Sequence, residues 1–178
     1  MTSPTNHRPA ATCGHNAAGS LTGQVERFLN RAIELSRQGM QAGEGGPFGA
    51  VVVRGDEIVG EGWNRVVATN DPTAHAEIVA IRAACQRLNS FSLCGCELFA
   101  SAEPCPLCLG AIYWSRLDRI CYANTIHDAA AIGFDDASFY EQLLLAPPQR
   151  RIPQVHLPCE PALRVFQDYA ANPAYVRY

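Results

Sequence analysis

The sequence predicts a three-layer α/β domain, with helices on both faces of a central sheet. Strand and helix signals alternate between residues 48 and 122, the pattern of a mostly parallel sheet joined by crossover helices. The alternation opens on two strand signals separated by one short turn, so the sheet begins with an antiparallel hairpin. Size agrees: 178 residues, 48% of them hydrophobic, suffice for one domain with a sizeable core and short extra termini.

Residues 1–20 are rich in Ser, Thr, Pro, Asn and Ala and lack periodicity, so they read as a tail outside the domain. His7, Cys13 and His15 fall there as incidental residues. Val25, Phe28, Leu29, Ala32 and Ile33 then recur at helical spacing, with Glu26, Arg27, Glu34 and Arg37 mostly between them. This predicts a helix from Thr22 to about Met40, ended by Gly43, Gly45 and Gly46. Phe48–Val53 and Ile58–Trp63 are the hairpin strands, with Arg54-Gly55-Asp56-Glu57 as the turn. Asp71 suits an N-cap and Pro72 a first helical residue, so the next helix runs from there to about Asn89. Glu97–Ser101 is a short strand, Leu107–Ser115 a helix begun between Pro104 and Pro106, and Leu117–Tyr122 a further strand. Beyond it the signals weaken. Asp128–Ala131 reads as a helical turn, Phe139–Leu145 as a helix stopped by Pro147-Pro148, Ile152–Leu157 as extended, and Ala162–Ala170 as a last helix.

Composition narrows the function classes. The formal net charge is −3 and the pI about 5.9, so the basic footprint of a nucleic-acid binder is missing. Mild acidity equally serves solubility, but it counts against a large RNA substrate. No run of eighteen apolar residues predicts a membrane span, and no apolar segment near the N-terminus predicts a secretory signal. The expected location is therefore cytoplasmic, with the eight cysteines reduced. Cys85 and Cys121 sit in apolar patterns as small core residues. Cys94 and Cys96 resemble a metal pair, but no partner ligands follow at finger-like spacing.

Two short stretches carry chemistry: Thr73-Ala74-His75-Ala76-Glu77 and Glu103-Pro104-Cys105-Pro106-Leu107-Cys108. Cys105 and Cys108 are three apart at a proline-marked helix start, so both sulfurs can face one side of the first turn. A helix N-terminus also favours thiolates. Two thiolates and the neutral imidazole of His75 balance Zn²⁺. Three protein ligands leave a fourth position open, the arrangement of a catalytic site. Residues two apart on a helix diverge by about 200°, so His75 and Glu77 can approach one metal only if His75 lies at the very first turn. Glu77 is then a neighbour of the metal-bound water and not a ligand. A structural Cys₂His site lacks its usual fourth ligand here, and a Cys-His nucleophile pair leaves the second cysteine unexplained.

His-x-Glu followed by Pro-Cys-x-x-Cys is the signature of zinc-dependent nucleobase deaminases. From about residue 23 to its end the chain resembles the cytidine deaminase-like superfamily. The resemblance implies a three-layer fold with a central mixed five-stranded sheet. It implies one catalytic zinc on His75, Cys105 and Cys108, a water acidified by that zinc, and Glu77 carrying protons to departing ammonia. Gly62-Trp63-Asn64 and the stretch from Asp71 to Glu77 look like the tRNA adenosine deaminase branch. Gly45–Ala50, Glu103–Trp114, Asp128-Ala129-Ala130 and above all Gly133-Phe134-Asp135-Asp136 look like the guanine deaminase branch. A pyrimidine deaminase would share the zinc motifs but not that last block.

Chemistry agrees with the guanine branch. Guanine displays N1–H and a 2-amino group side by side, two donors that suit a carboxylate, whereas adenine shows an acceptor at N1. By the resemblance Asn64 hydrogen-bonds the purine, Asp136 binds its amino edge, Phe48 and Trp114 wall the ring, and the Ala76 amide approaches the base. Glu141 serves as a second proton carrier or edge acceptor. The same likeness implies a homodimer that exchanges its C-terminal segment, with Tyr178 closing the partner's pocket. The expected boundaries are a tail over 1–20, the deaminase domain over 21–157 and an exchanged helix and tail over 158–178. The implied reaction is guanine to xanthine and ammonia in purine catabolism or salvage, with no nucleic acid or membrane partner. The alternatives are tRNA adenosine or other amino-heterocycles such as aminotriazines.

Overall fold

Four strands form the sheet, in the order β2-β1-β3-β4. The structure, a computed structural model, describes residues 21–177. Helix α1 spans Leu21–Gln41, the strands β1 Gly49–Arg54 and β2 Glu57–Trp63 follow, and then come α2 Val66–Thr69 and α3 Ala76–Leu88. Strand β3 Glu97–Ala102, helix α4 Pro106–Ser115 and strand β4 Arg119–Asn124 complete the sheet. Helices α5 Ile126–Ala131 and α6 Asp136–Leu144, a 3₁₀ turn Pro147–Gln149 and α7 Glu160–Ala171 end the chain. The expected tail and Tyr178 lie outside the described residues.

The fold class holds, and two details of the sheet are corrected. First, the ladder is mixed and mostly antiparallel: β1 pairs antiparallel with both β2 and β3, and only β3 and β4 pair in parallel. Crossover logic correctly orients β2, β3 and β4 the same way, but β1 is inserted between β2 and β3 and reverses two of the three ladders. That central position explains the run Val51-Val52-Val53, since a strand covered on both faces need not alternate. Second, the sheet has four strands and not five. Ile152–Leu157, read as extended, joins no strand among the described residues; Pro153 and Pro158 cannot donate to a ladder, and Ile152, Val155 and Leu157 are exposed.

Alternation across β1 and β3 separates the layers. Val51, Val53 and Phe99 pack under Phe28 and Leu35 of α1, with the Phe28 and Phe99 rings 5.1 Å apart. Ala50, Val52 and Leu98 face the other way, against Ala80, Ile81 and Ala84 of α3 and Ile112 of α4. Gly60 and Gly62 let α3 lie directly on β2: a Cβ at Gly62 would stand 2.4 Å from the Ala76 carbonyl oxygen. Among the described residues Cys85, Cys96, Cys105, Cys108, Cys121 and Cys159 carry free thiols, whereas Cys94 is disulfide-bonded, against the expectation of eight reduced cysteines. No described helix is long and apolar enough to cross a membrane.

Candidate active site

Two helix N-termini converge on the metal ligands. His75 is the N-cap of α3 and Cys105 the N-cap of α4, both in extended backbone conformation. The α3 helix therefore starts four residues later than the Asp71-Pro72 signal predicts. Asp71 instead closes a turn, accepting from the Thr73 amide at 2.8 Å and its hydroxyl at 2.7 Å. Capping positions explain how His75 and Glu77 serve one site. An N-cap side chain leaves the helical spiral, so the angular divergence of residues two apart does not apply to it.

The ligand atoms fit zinc. His75 Nδ1 lies 3.4 Å from each sulfur, and the sulfurs of Cys105 and Cys108 lie 3.6 Å apart. Tetrahedral Zn²⁺ with ordinary bond lengths requires about 3.6 Å between nitrogen and sulfur and about 3.8 Å between sulfurs. Among the described residues the cluster has three members, so a tetrahedral ion held there would keep one position for water. Both cysteines are buried and sit on the first turn of a helix whose dipole favours anions. The Cys108 hydrogen bond draws the Cys105 thiol down to about 4, and that bond together with burial pushes Cys108 up. Negative charge on one sulfur opposes it on the other at this distance, and a dication between them would relieve that repulsion.

Glu77 is the second residue of α3 and is buried. Burial pushes its carboxyl up to about 7, against a hydrogen bond from its own amide, and the negative charge of Cys105 adds to the rise. Beside the ligands opens a cavity of about 290 Å³, lined by His75, Glu77 and Cys105 together with Phe48, Asn64, Phe134, Asp136 and Glu103. This lies near the lower end of the range for small-molecule sites, about 300–1,000 Å³, and suits one small heterocycle. The rings of Phe48 and Phe134 meet edge to face with centroids 4.7 Å apart. Asn64 is buried and oriented by the backbone. Its Oδ1 accepts from the amides of Gly46 at 3.3 Å and Val66 at 3.2 Å, which leaves the Nδ2 donor for the cavity. Val66, Val67 and Pro72 form the lip. Glu44 holds it: the carboxylate accepts from Trp63 Nε1 at 2.8 Å and Arg65 Nε at 2.9 Å, and its carbonyl accepts from the Val67 and Ala68 amides. Asp136, the first residue of α6, is half-buried, and desolvation and then the Cys105 charge push its carboxyl up.

The structure brings together His75, Cys105, Cys108, Glu77, Asn64, Phe48 and Asp136, as expected. Ala76 is buried as the first residue of α3, where its amide has no intrahelical acceptor. Trp114 is not brought in. It lies on α4, 64% exposed, and lines a separate depression with Cys85 and Phe91. Glu141 is exposed and does not line the cavity. Five residues after Asp136, it points about 140° away around α6. Tyr178 lies outside the described residues. Phe134 and Glu103 line the cavity although neither was expected there as a site residue. The sequence signals for them were the block Gly133-Phe134-Asp135-Asp136 and the position of Glu103 directly before Pro104-Cys105.

Residues 22–124 match the family model of the cytidine and deoxycytidylate deaminase zinc-binding region. The chain is 48% identical to guanine deaminase of Bacillus subtilis over 144 residues, 81% of this chain and 92% of that protein. The crystal structure of guanine deaminase from the same organism superposes with a TM-score of 0.83, covering 86% of this chain and 98% of the other. Guanine deaminase from Nitrosomonas europaea superposes with a TM-score of 0.60 at 34% identity, covering 68% and 76% of the two chains. A tRNA-specific adenosine deaminase of Aquifex aeolicus is 41% identical over only 98 residues, 55% of this chain and 64% of that protein.

Proposed function

The chain belongs to the cytidine and deoxycytidylate deaminase zinc-binding family, and from that premise we propose that it hydrolyses guanine to xanthine and ammonia. The observation that carries the substrate is Asp136, a carboxylate in the cavity that holds the metal ligands. It accepts the donor edge of guanine, N1–H and the 2-amino group, and would repel the N1 lone pair of adenine. Asn64 Nδ2 donates to a purine acceptor, the Ala76 amide contributes a further donor, and Phe48 and Phe134, packed edge to face, form one apolar wall beside the ring. The relatives support this choice: the match to a guanine deaminase runs through most of the chain, whereas the tRNA enzyme matches a shorter core.

Zinc held by His75, Cys105 and Cys108 supplies Lewis acidity, bringing the pKa of water close to neutrality. Glu77 accepts a proton from the attacking water as oxygen bonds to C2. It then returns a proton to the exocyclic nitrogen as the C2–N bond breaks, so that water and guanine leave as xanthine and ammonia. Its burial excludes competing solvent.

The active unit is a homodimer that exchanges its C-terminal segment from residue 158 onward. Helix α7 supports this, because Leu163, Val165 and Phe166 are all exposed on it and no residue of α7 is buried. An enzyme of this kind would serve purine catabolism or salvage in the cytoplasm. The test is ammonia release from guanine, adenine, cytosine, guanosine and tRNA in parallel. Release from guanine is expected; release from tRNA alone would overturn the assignment. Deleting residues 158–178 should leave a monomer by light scattering.

A further inference from the structure

Helices α5 and α6, with the loop between them, bring Phe134 and Asp136 over the cavity. Yet the segment adds one buried apolar side chain, Ala129, to the interior. Polar bonds hold it instead, and they converge on two consecutive residues at the end of β3, directly before the first thiol ligand. Glu103 accepts from the Ile126 amide at 3.2 Å, and its own amide donates to the Asn124 carbonyl at 2.8 Å. One residue later the buried Pro104 offers its carbonyl to the hydroxyl of Tyr140, which donates at 2.8 Å. Tyr140 stands four residues after Asp136 on α6, so the two share one face of that helix. A single hydrogen bond thus ties the helix that presents Asp136 to the residue preceding Cys105.

We propose that Tyr140 is a specificity-determining positioning residue. Its hydroxyl fixes the first turn of α6 against the Pro104-Cys105 segment, so that Asp136 meets the donor edge of the purine while C2 faces the water position. This rests on the reading of Asp136 as the acceptor for that edge. The physical need is plain. A carboxylate on a helix with little apolar anchorage is free to shift, and a displacement of about 1 Å is enough to spoil a pair of parallel hydrogen bonds.

Tyr140→Phe removes the hydroxyl and keeps the ring. In the full-length zinc-loaded protein it should raise KM for guanine by about 5- to 10-fold, the loss expected for one hydrogen bond, with kcat changed by less than about twofold. Zinc content should stay the same, and faster amide exchange should be confined to residues 126–144. In an Asp136→Asn background the same change should add less than about twofold to KM, because the acceptor it positions is already lost. Full additivity of the two changes overturns the proposal, as does loss of zinc in Tyr140→Phe. If Asp136→Asn raises KM and Tyr140→Phe does not, the substrate reading stands and the role of Tyr140 is refuted. If Asp136→Asn leaves KM unchanged, the substrate reading itself fails and the role of Tyr140 fails with it.

Discussion

Replacing Gly62 by alanine should damage the metal centre, whereas the same change at Gly60, two residues away on the same strand, should damage stability alone. Both glycines lie beneath α3. A Cβ at Gly62 would stand 2.4 Å from the Ala76 carbonyl oxygen and 2.6 Å from the Ala80 nitrogen. At Gly60 the nearest atoms are the Ala80 carbonyl oxygen at 2.3 Å and the Ala84 nitrogen at 2.7 Å. These are backbone atoms, so no side chain can swing aside. Neither glycine needs positive φ, so the whole cost is steric. Ordinary contact begins near 3.4 Å, so each methyl forces α3 up by about 1 Å, and overpacking of this kind costs about 1–3 kcal/mol. For a chain of this size that lowers Tm by about 2–12 °C. The two changes differ in which part of α3 rises. Gly62 lies under Ala76, between His75 and Glu77, while Gly60 lies under the helix centre. A displacement of about 1 Å at reacting groups is worth about 10²-fold in rate. Gly62→Ala should therefore lose about that much in kcat/KM and hold zinc less tightly against a competing chelator, with Gly60→Ala near wild type in both. Scanning calorimetry, chelator titration and steady-state ammonia release measure the three quantities. If Gly62→Ala matches Gly60→Ala in zinc affinity and rate at equal loss of Tm, the idea that backbone contact at β2 seats the metal-binding turn is wrong.

Two further predictions concern single carboxylates. Glu77→Gln should keep zinc and fold but lower kcat by about 10²- to 10⁴-fold, the range for a lost general acid–base; turnover within a few-fold of wild type in a zinc-replete preparation would remove Glu77 from proton transfer. Glu61 is held below the usual carboxylate range chiefly by its two hydrogen bonds from Arg31, each 2.8 Å. A depressed folded value contributes stability above the unfolded value and loses it as pH falls through the folded one. Glu61→Gln should thus be less stable than wild type at pH 7, and the difference should fade on acidification below about pH 4. The side chains are each 36% exposed, so the gap should stay under about 1 kcal/mol. A gap that widens on acidification in chemical denaturation would contradict the ion pair as its source.

The metal chemistry was legible in the sequence. His75, Cys105 and Cys108 depend on local geometry, two helix starts marked by polar or proline residues, and local geometry is written in short stretches of chain. The valines of β1 likewise marked a strand, because β-branched side chains suit extended backbone. Less was legible where position depends on distant packing. Asp71-Pro72 carried a start signal that the chain spends on a turn, because α3 is seated by Gly60 and Gly62 and begins at Ala76. Trp114 belongs to α4, which is apolar all round, so no periodicity told its inner face from its outer one. The relation of Asp136 to Glu141 needed the start of α6, since five residues around a helix turn one carboxylate toward the cavity and the other to solvent. The place of β1 between β2 and β3 emerged from packing, because α1 covers one face of that strand and α3 the other. Packing also brought Phe134 from beyond β4 against Phe48, nearly ninety positions earlier in the chain. Contacts at that separation follow from the whole packing of the domain, and no neighbouring residue encodes them.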